Sequence, residues 1–344
     1  MKSVIFAVFF WFSTSNLYAL LNLDDLVQDI VLETKRVQIP AIPYAFNASM
    51  VSWKDFILMS FRSIPDPAHP FTSFIGVLLL DKEFNPISEP QFLQTRDVDS
   101  PAPSRAEDAR LFYVGNKLHI AYSDNPNQKN SVGGYRMVIG ELIYNNGLFM
   151  IDNASRLVEF EKQSSALREK NWVPFDYQNH LLLAYSISPH LIFQPISNTG
   201  VCETVDCTNP KIEWDWGILR GGTPAILLET GEYLSFFHSV KKMATTNSKN
   251  IVMPHYFMGA YTFASKPPFQ ITGISPTPIF GPGFYSGIAY QRYWGSIQCI
   301  FPAGILLEQD AIWVSYGRQD HEIWVVRLDK KKLLDSLIPI HKSE

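Results

Sequence analysis

The sequence is poor in the residues that most directly announce a chemistry. Only 3 of its 344 residues are cysteine, and no CxxC pair occurs, which excludes a cysteine-built zinc site. Neither sign of charge dominates: 29 Lys and Arg stand against 33 Asp and Glu, a formal net charge of -4. The basic stripe or recognition motif that nucleic-acid binding requires is missing. No apolar run beyond the N-terminus approaches the ~20 residues needed to cross a bilayer, so no stable membrane span is expected. Long flexible linkers are missing too, since the clearest breaks, Pro101-Ala102-Pro103 and Phe280-Gly281-Pro282-Gly283, are short. No metal site and no cofactor is indicated.

The start of the chain does carry a signal. Met1-Lys2-Ser3 followed by Val4 to Phe12 has the charged start and short apolar body of a secretory peptide, with cleavage expected after Ala19. An exported protein, periplasmic or secreted, is the expectation, with residues 20–344 forming one domain. Export implies an oxidising compartment. Cys202 and Cys207 are therefore expected in an exposed loop, close enough to bridge, the other reading being two thiols in that loop. Cys299 lies in an apolar run and reads as a packed thiol.

What the chain has in quantity is a repeat. Arg105-Ala106-Glu107-Asp108-Ala109-Arg110 leads into an apolar run that turns at Gly115-Asn116 and resumes at Leu118, the pattern of a hairpin with charges at its mouth. The outline recurs from Asn47, Asn171, Gly222 and Phe301, at intervals of roughly 50 to 80 residues, near the period of propeller blades. A strand-turn-strand unit that cannot bury both faces alone is satisfied by radial stacking. The pattern predicts an all-β, five-bladed β-propeller with blades at about 41–92, 105–158, 169–213, 220–279 and 296–329. A short helix capped by Asn22 is expected on its outside, and Lys330 to Leu337 has helical spacing. Asp124 to Gly134 and Val240 to Val252 read as surface loops. Asn47-Ala48-Ser49 and Asn153-Ala154-Ser155 match the glycosylation sequon.

Superposing the copies puts Asn47, Asp108, Asn171, Gly222 and Phe301 at the starts of the innermost strands, lining a central channel, with Arg62 and His238 among the residues at the ends of second strands. Polar residues there are costly unless paired, which favours a site, the alternative being a structural clamp of Glu107 and Asp108 with Arg105 and Arg110. Arg110 is expected to turn toward the body of blade two. Trp172, Tyr293 and Trp294 are candidates for stacking on sugars.

The segments Arg105 to Arg110, Lys170-Asn171-Trp172-Val173-Pro174, Gly221-Gly222-Thr223-Pro224 with His238, Tyr256 to Ala260, and Phe301-Pro302-Ala303-Gly304 with Tyr316-Gly317 and Asp320 resemble, in order, the motifs of glycoside hydrolase family 130. The resemblance spans nearly the whole chain after residue 19. It implies a five-bladed propeller acting on β-mannosides or similar oligosaccharides by inverting phosphorolysis or hydrolysis. Asp108 would be the general acid, with Ala109 departing from the family's usual proline. Lys170, His238 and Tyr256 would hold inorganic phosphate as co-substrate, joined by Arg156 or Arg168. Asn47, Arg62, Asn171, Trp172 and Asp320 would bind sugar. Asn47 stands where the related hydrolases have an aspartate, which argues against separate acid and base carboxylates. The competing readings are a sugar-binding propeller without turnover, a transferase using a phosphorylated donor, and a structural scaffold. The sequence leaves the sugar, the linkage and the oligomeric state open.

Overall fold

Each repeat forms an antiparallel sheet, and in three of the five the innermost strand is buried over most of its length, because it packs against a neighbouring blade on either side. In the innermost strand of blade one the residues Phe46 to Val51 are all buried, whereas the outermost strand of blade three is largely exposed. The computed structural model describes residues 20–96, 103–125, 134–161, 168–286, 293 and 295–340. The signal-like segment, most of the loop 124–134, Pro101-Ala102 and Trp294 lie outside them.

The chain enters through a short 3-10 turn, Leu23–Leu26, capped by Asn22 as expected, with Leu23 buried. Strand β1 (Val31–Val37) follows. Blade one comprises β2 (Phe46–Trp53), β3 (Phe56–Ser63), β4 (Phe74–Leu80) and β5 (Gln91–Phe92). Blade two comprises β6 (Glu107–Val114), β7 (Lys117–Asp124), β8 (Arg136–Asn145) and β9 (Leu148–Arg156). Blade three comprises β10 (Val173–Tyr177), β11 (His180–Ser186), β12 (His190–Pro195) and β13 (Cys202–Thr208). In blade four the inner edge is split into β14 (Ile218–Gly221) and β15 (Ile226–Leu227), both on β16 (Glu232–Met243), which pairs with β17 (Met253–Ala264) and then β18 (Ile271–Ile274). Blade five holds β19 (Gln298–Leu307), β20 (Ala311–Arg318) and β21 (Glu322–Asp329), and β1 completes it from the other end of the chain. Helix α1 (Lys330–Ser336) follows, and β22 (Ile338–Pro339) adds to β18.

Closure of the ring is visible in the apolar cores. Met50 and Met59 of blade one share a core with Trp313 and Val325 of blade five. Further cores join blades one and two, two and three, three and four, and four and five. The expected five-bladed propeller is the fold found.

Three expectations are corrected. Cys202 and Cys207 are not in a loop: both lie on β13, one buried and one exposed, and both are free. Five positions along an extended strand span roughly 16 Å, far beyond the Cα separation of a disulfide. Val240 to Val252 is only partly a loop, because β16 and β17 run on as a ribbon to the pairs Lys242↔Pro254 and Met243↔Met253. Its tip is tied by hydrogen bonds among Thr245, Ser248 and His255. The third concerns Arg110 and belongs with the site.

Candidate active site

Three of the five innermost strands begin with the same backbone device. Asn47, Asp108 and Asn171 have φ of 48°, 53° and 63°, and the ladders slip at this point between Phe46 and Ser49 and between Glu107 and Arg110. Asn and Asp tolerate this left-handed conformation better than other residues with a Cβ, and a bulge re-aims the side chain. The three side chains thereby reach one cavity of about 650 Å³. Asp320, at φ 54° in the turn between β20 and β21, reaches the same cavity. Arg62, Lys170, His238 and Tyr256 complete the sequence-expected lining.

Within it the two carboxylates of Glu107 and Asp108 are held differently. Glu107 is caged: Arg62 donates to Oε1 at 2.9 Å, the Tyr135 hydroxyl donates to the same oxygen at 2.8 Å, and Lys170 donates to Oε2. Asp108 takes its bonds on Oδ1 alone, from Asn47 Nδ2 at 2.9 Å and Arg62 Nη1 at 3.4 Å. Its Oδ2 has no donor among the described residues. Burial works against ionising either group, but Arg62 and Lys170 outweigh it at Glu107, and Arg62, Arg110 and Lys170 outweigh it at Asp108. Both carboxyls therefore sit below their ordinary range and are anions at neutral pH. Burial likewise opposes the charge on Arg62, and the carboxylates of Glu107, Asp108 and Asp320 reverse that, raising its pKa.

Arg110 is fully buried, but it does not support the body of blade two. Its Nε donates to Gly222 O and its Nη2 to Asn171 Oδ1, each at 2.9 Å, and its Nη1 donates to Asp108 O. The guanidinium also lies 5.3 Å over the Phe301 ring. Arg110 thus ties the strand starts of blades two to five around the axis. Burial lowers its pKa to about 10, with Asp108 opposing, so it remains a cation at neutral pH. Against the alternative of a structural clamp, Arg62 and Lys170 are the cations bonded to the Glu107 carboxylate, Arg62 also bonds the Asp108 carboxylate, and Arg110 bonds the Asp108 carbonyl instead.

His238 is set by the β14–β16 ladder, opposite Arg220. Its Nδ1 lies 2.8 Å from Gly221 O, and its ring packs 4.7 Å from Phe301 and 5.9 Å from Tyr256. Burial, then the nearby Arg110 and Arg220, pull its pKa to about 3. Cys299 also lines the cavity, its Sγ 3.9 Å from Asp320 Oδ1; burial and the neighbouring carboxylates push the thiol well above its usual range.

Two expected positions are not in the cavity. Trp172 is 1% exposed and packs against Phe160, Tyr185 and Phe193 at 4.9–5.6 Å. Although it follows Asn171 directly, it lies in the core between blades two and three. Tyr293 stacks on Phe46 and donates to Ile64 O. Of the two arginines left open, Arg168 lines the cavity, while Arg156 pairs with Asp124 at 2.8 Å.

Sequence reasoning missed Tyr135, Arg220, Lys242 and Cys299 as lining residues. Tyr135 follows a polar Gly-Gly segment, and Arg220 precedes a Gly-Gly pair that already marked an inner strand start; both signals were available. The lining holds five cations, Arg62, Arg168, Lys170, Arg220 and Lys242, against Glu107, Asp108 and Asp320. That excess favours an anionic ligand. Among the described residues, no group of three His, Cys, Asp or Glu side chains is placed to hold a metal ion.

No family model matches the chain, and no curated protein matches it in sequence. Solved structures do match in fold. A mannose phosphorylase from Leishmania mexicana, in complex with phosphate ion, superposes with a TM-score of 0.62 at 10% identity, covering 92% of this chain and 93% of that one. A structure described under the glycoside hydrolase 130 family of mannoside phosphorylases, containing hydrolases that target β-1,2 mannosidic linkages in Candida mannan, gives 0.60 at 14% identity over 83% and 84%. The β-1,2-mannobiose phosphorylase of Listeria innocua, in complex with β-1,2-mannobiose, gives 0.54 at 15% identity over 91% and 96%. At these identities the likeness is one of fold.

Proposed function

We propose that this protein is a carbohydrate-active enzyme that cleaves β-mannosides or similar oligosaccharides by inverting transfer of the glycosyl group to inorganic phosphate. The observation that carries this reading is the pairing, in one cavity, of a carboxylate with an open oxygen, Asp108, and a surplus of cations from blades three and four. Support comes from the fold shared with mannoside phosphorylases and from Asn47, an amide that donates to Asp108 where a second carboxylate would repel it.

In this mechanism the sugar sits against Asp108, Asn47, Arg62 and Asp320, and phosphate against Lys170, Arg168, Arg220 and Tyr256. A phosphate oxygen attacks the anomeric carbon while the bond to the leaving oxygen breaks on the opposite face. Asp108 delivers the proton that the leaving oxygen takes up, directly or through a substrate hydroxyl. The products are a sugar 1-phosphate of inverted configuration and the shortened oligosaccharide. Asp108 is ionised in the empty cavity, and the arriving anion offsets the cations that keep it so, raising its proton affinity. Phosphate thus supplies the nucleophile and also arms the acid: Asp108 takes up a solvent proton as phosphate binds, passes it to the leaving oxygen, and the O–H proton of the attacking hydrogen phosphate returns to solvent from the ester formed.

The test is turnover of β-1,2-mannobiose and longer manno-oligosaccharides by the purified chain, with and without phosphate. Mannose 1-phosphate formed only with phosphate is the expected result, and Lys170→Ala should raise the phosphate KM at least about tenfold while leaving sugar binding in place. Free mannose released equally in both conditions would make the protein a hydrolase. Sugar binding without turnover in any condition would make it a binding propeller.

A further inference from the structure

His238 differs from the other groups facing the proposed phosphate position. Lys170, Arg168, Arg220 and Tyr256 all offer protons. The Gly221 carbonyl, 2.8 Å from His238 Nδ1, can only accept, so Nδ1 carries the ring proton. The strand register fixes this contact, since Gly221 and Phe237 are paired. A second ring proton is opposed on every side. The ring is 2% exposed, Phe301 and Tyr256 pack against it, and the charges acting on it, Arg110 from β6 and Arg220 from β14, are both positive. Nε2 therefore holds a lone pair. It has no hydrogen-bond partner among the described residues, and the ring lines the cavity.

We infer that His238 is a hydrogen-bond acceptor in the anion site and selects an oxyanion that carries an O–H, hydrogen phosphate, over tetrahedral dianions that carry none. The inference rests on the phosphorolysis reading and adds its specificity. Hydrogen phosphate brings three acceptor oxygens to the donors and one O–H to Nε2. Sulfate and fluorophosphate have the same shape and charge but place a lone pair against that of Nε2 and leave a buried acceptor unpaired. Sites built around one such hydrogen bond discriminate strongly against analogues that lack it.

The test is equilibrium binding to the full chain, by titration calorimetry at mildly alkaline pH, of inorganic phosphate, arsenate, sulfate and fluorophosphate. Phosphate and hydrogen arsenate should bind within about threefold of each other, and sulfate and fluorophosphate at least about tenfold more weakly, the loss expected of one unmade buried hydrogen bond. His238→Gln, whose amide can turn a donor outward, should bring sulfate to within about threefold of phosphate. Sulfate or fluorophosphate binding as well as phosphate to the unaltered chain overturns the inference and leaves phosphorolysis standing. Binding of none of the four overturns both. The selectivity of the unaltered chain decides the matter even where the variant fails to fold.

Discussion

The proposed chemistry turns on Asp108, whose surroundings differ from those of its neighbour Glu107. Glu107 has donors on both oxygens, Arg62 and Tyr135 on Oε1 and Lys170 on Oε2, so it acts as the counter-ion that organises Arg62 and Lys170. Asp108 Oδ2 takes no donor among the described residues. Asp108→Asn should therefore lower turnover by roughly 10²- to 10⁴-fold, the range of a positioned general acid, while sugar affinity measured by calorimetry changes less than about threefold. Equal loss of binding and turnover would make Asp108 a sugar ligand only. A separate residue-scale outcome concerns pH. Burial pulls His190, whose Nε2 is buried without a partner among the described residues, to about 4, and pulls His238 to about 3. Both pKa values are lowered on folding, so their contribution is fully present above the ordinary histidine value of about 6.5 and is lost as pH falls toward the folded values. Glu107 and Asp108, also lowered, add a further loss below about pH 4.5. The melting temperature should begin to fall below about pH 6.5, and His190→Gln should flatten the first part of that fall; a midpoint constant down to pH 5 would contradict it.

At the scale of the strand, the site depends on bulged starts that need room. Gly317, on β20, supplies it for Asn47: a Cβ there would lie 1.8 Å from Asn47 Oδ1. Gly317→Ala should push Asn47 off Asp108, cost about 1–3 kcal/mol as overpacking does, and reduce turnover at least about tenfold. Urea unfolding and kinetics check the two together, and an alanine variant with parental stability and turnover would show that the close approach is not needed. Three of these starts were legible in the sequence because Asn and Asp fit a left-handed opening more easily than other residues with a Cβ, and Asn47, Asp108 and Asn171 recur at the heads of apolar runs. What a strand does with the next residue was harder to read. Trp172 directly follows Asn171, which lines the cavity, and yet packs in the core between blades two and three. Cys202 to Cys207 looked like a loop because the outermost strand of a blade is mostly solvated and therefore polar in composition.

For the whole molecule, the closing strand was the element the repeat could not show. β1 has no partner nearby in sequence. It pairs antiparallel with β21 from Val31↔Leu328 to Val37↔Ile323, so the two ends of the chain finish one blade and lock the ring. Its composition, Val-Leu-Glu-Thr-Lys-Arg-Val, carries only a weak alternation, because most of its side chains on both faces are at least partly exposed. Removing residues 20–39 should strip blade five of its outer strand and lower the melting temperature by at least about 10 °C, or leave the protein insoluble. A truncated chain that melts like the parent would mean the ring closes without β1.

The ring brings Asp108 of blade two together with Lys170, His238 and Tyr256 of blades three and four, residues that nothing in the linear sequence joins. Whether that convergence is a working site is tested most directly by a crystal structure of the protein with phosphate and mannose both present. The expected result is phosphate held among Lys170, Arg168 and Tyr256 with one oxygen at His238 Nε2, and mannose beside it against Asp108 and Asp320. Sugar or phosphate bound elsewhere on the ring, with the cavity beside Asp108 holding only solvent, would contradict it.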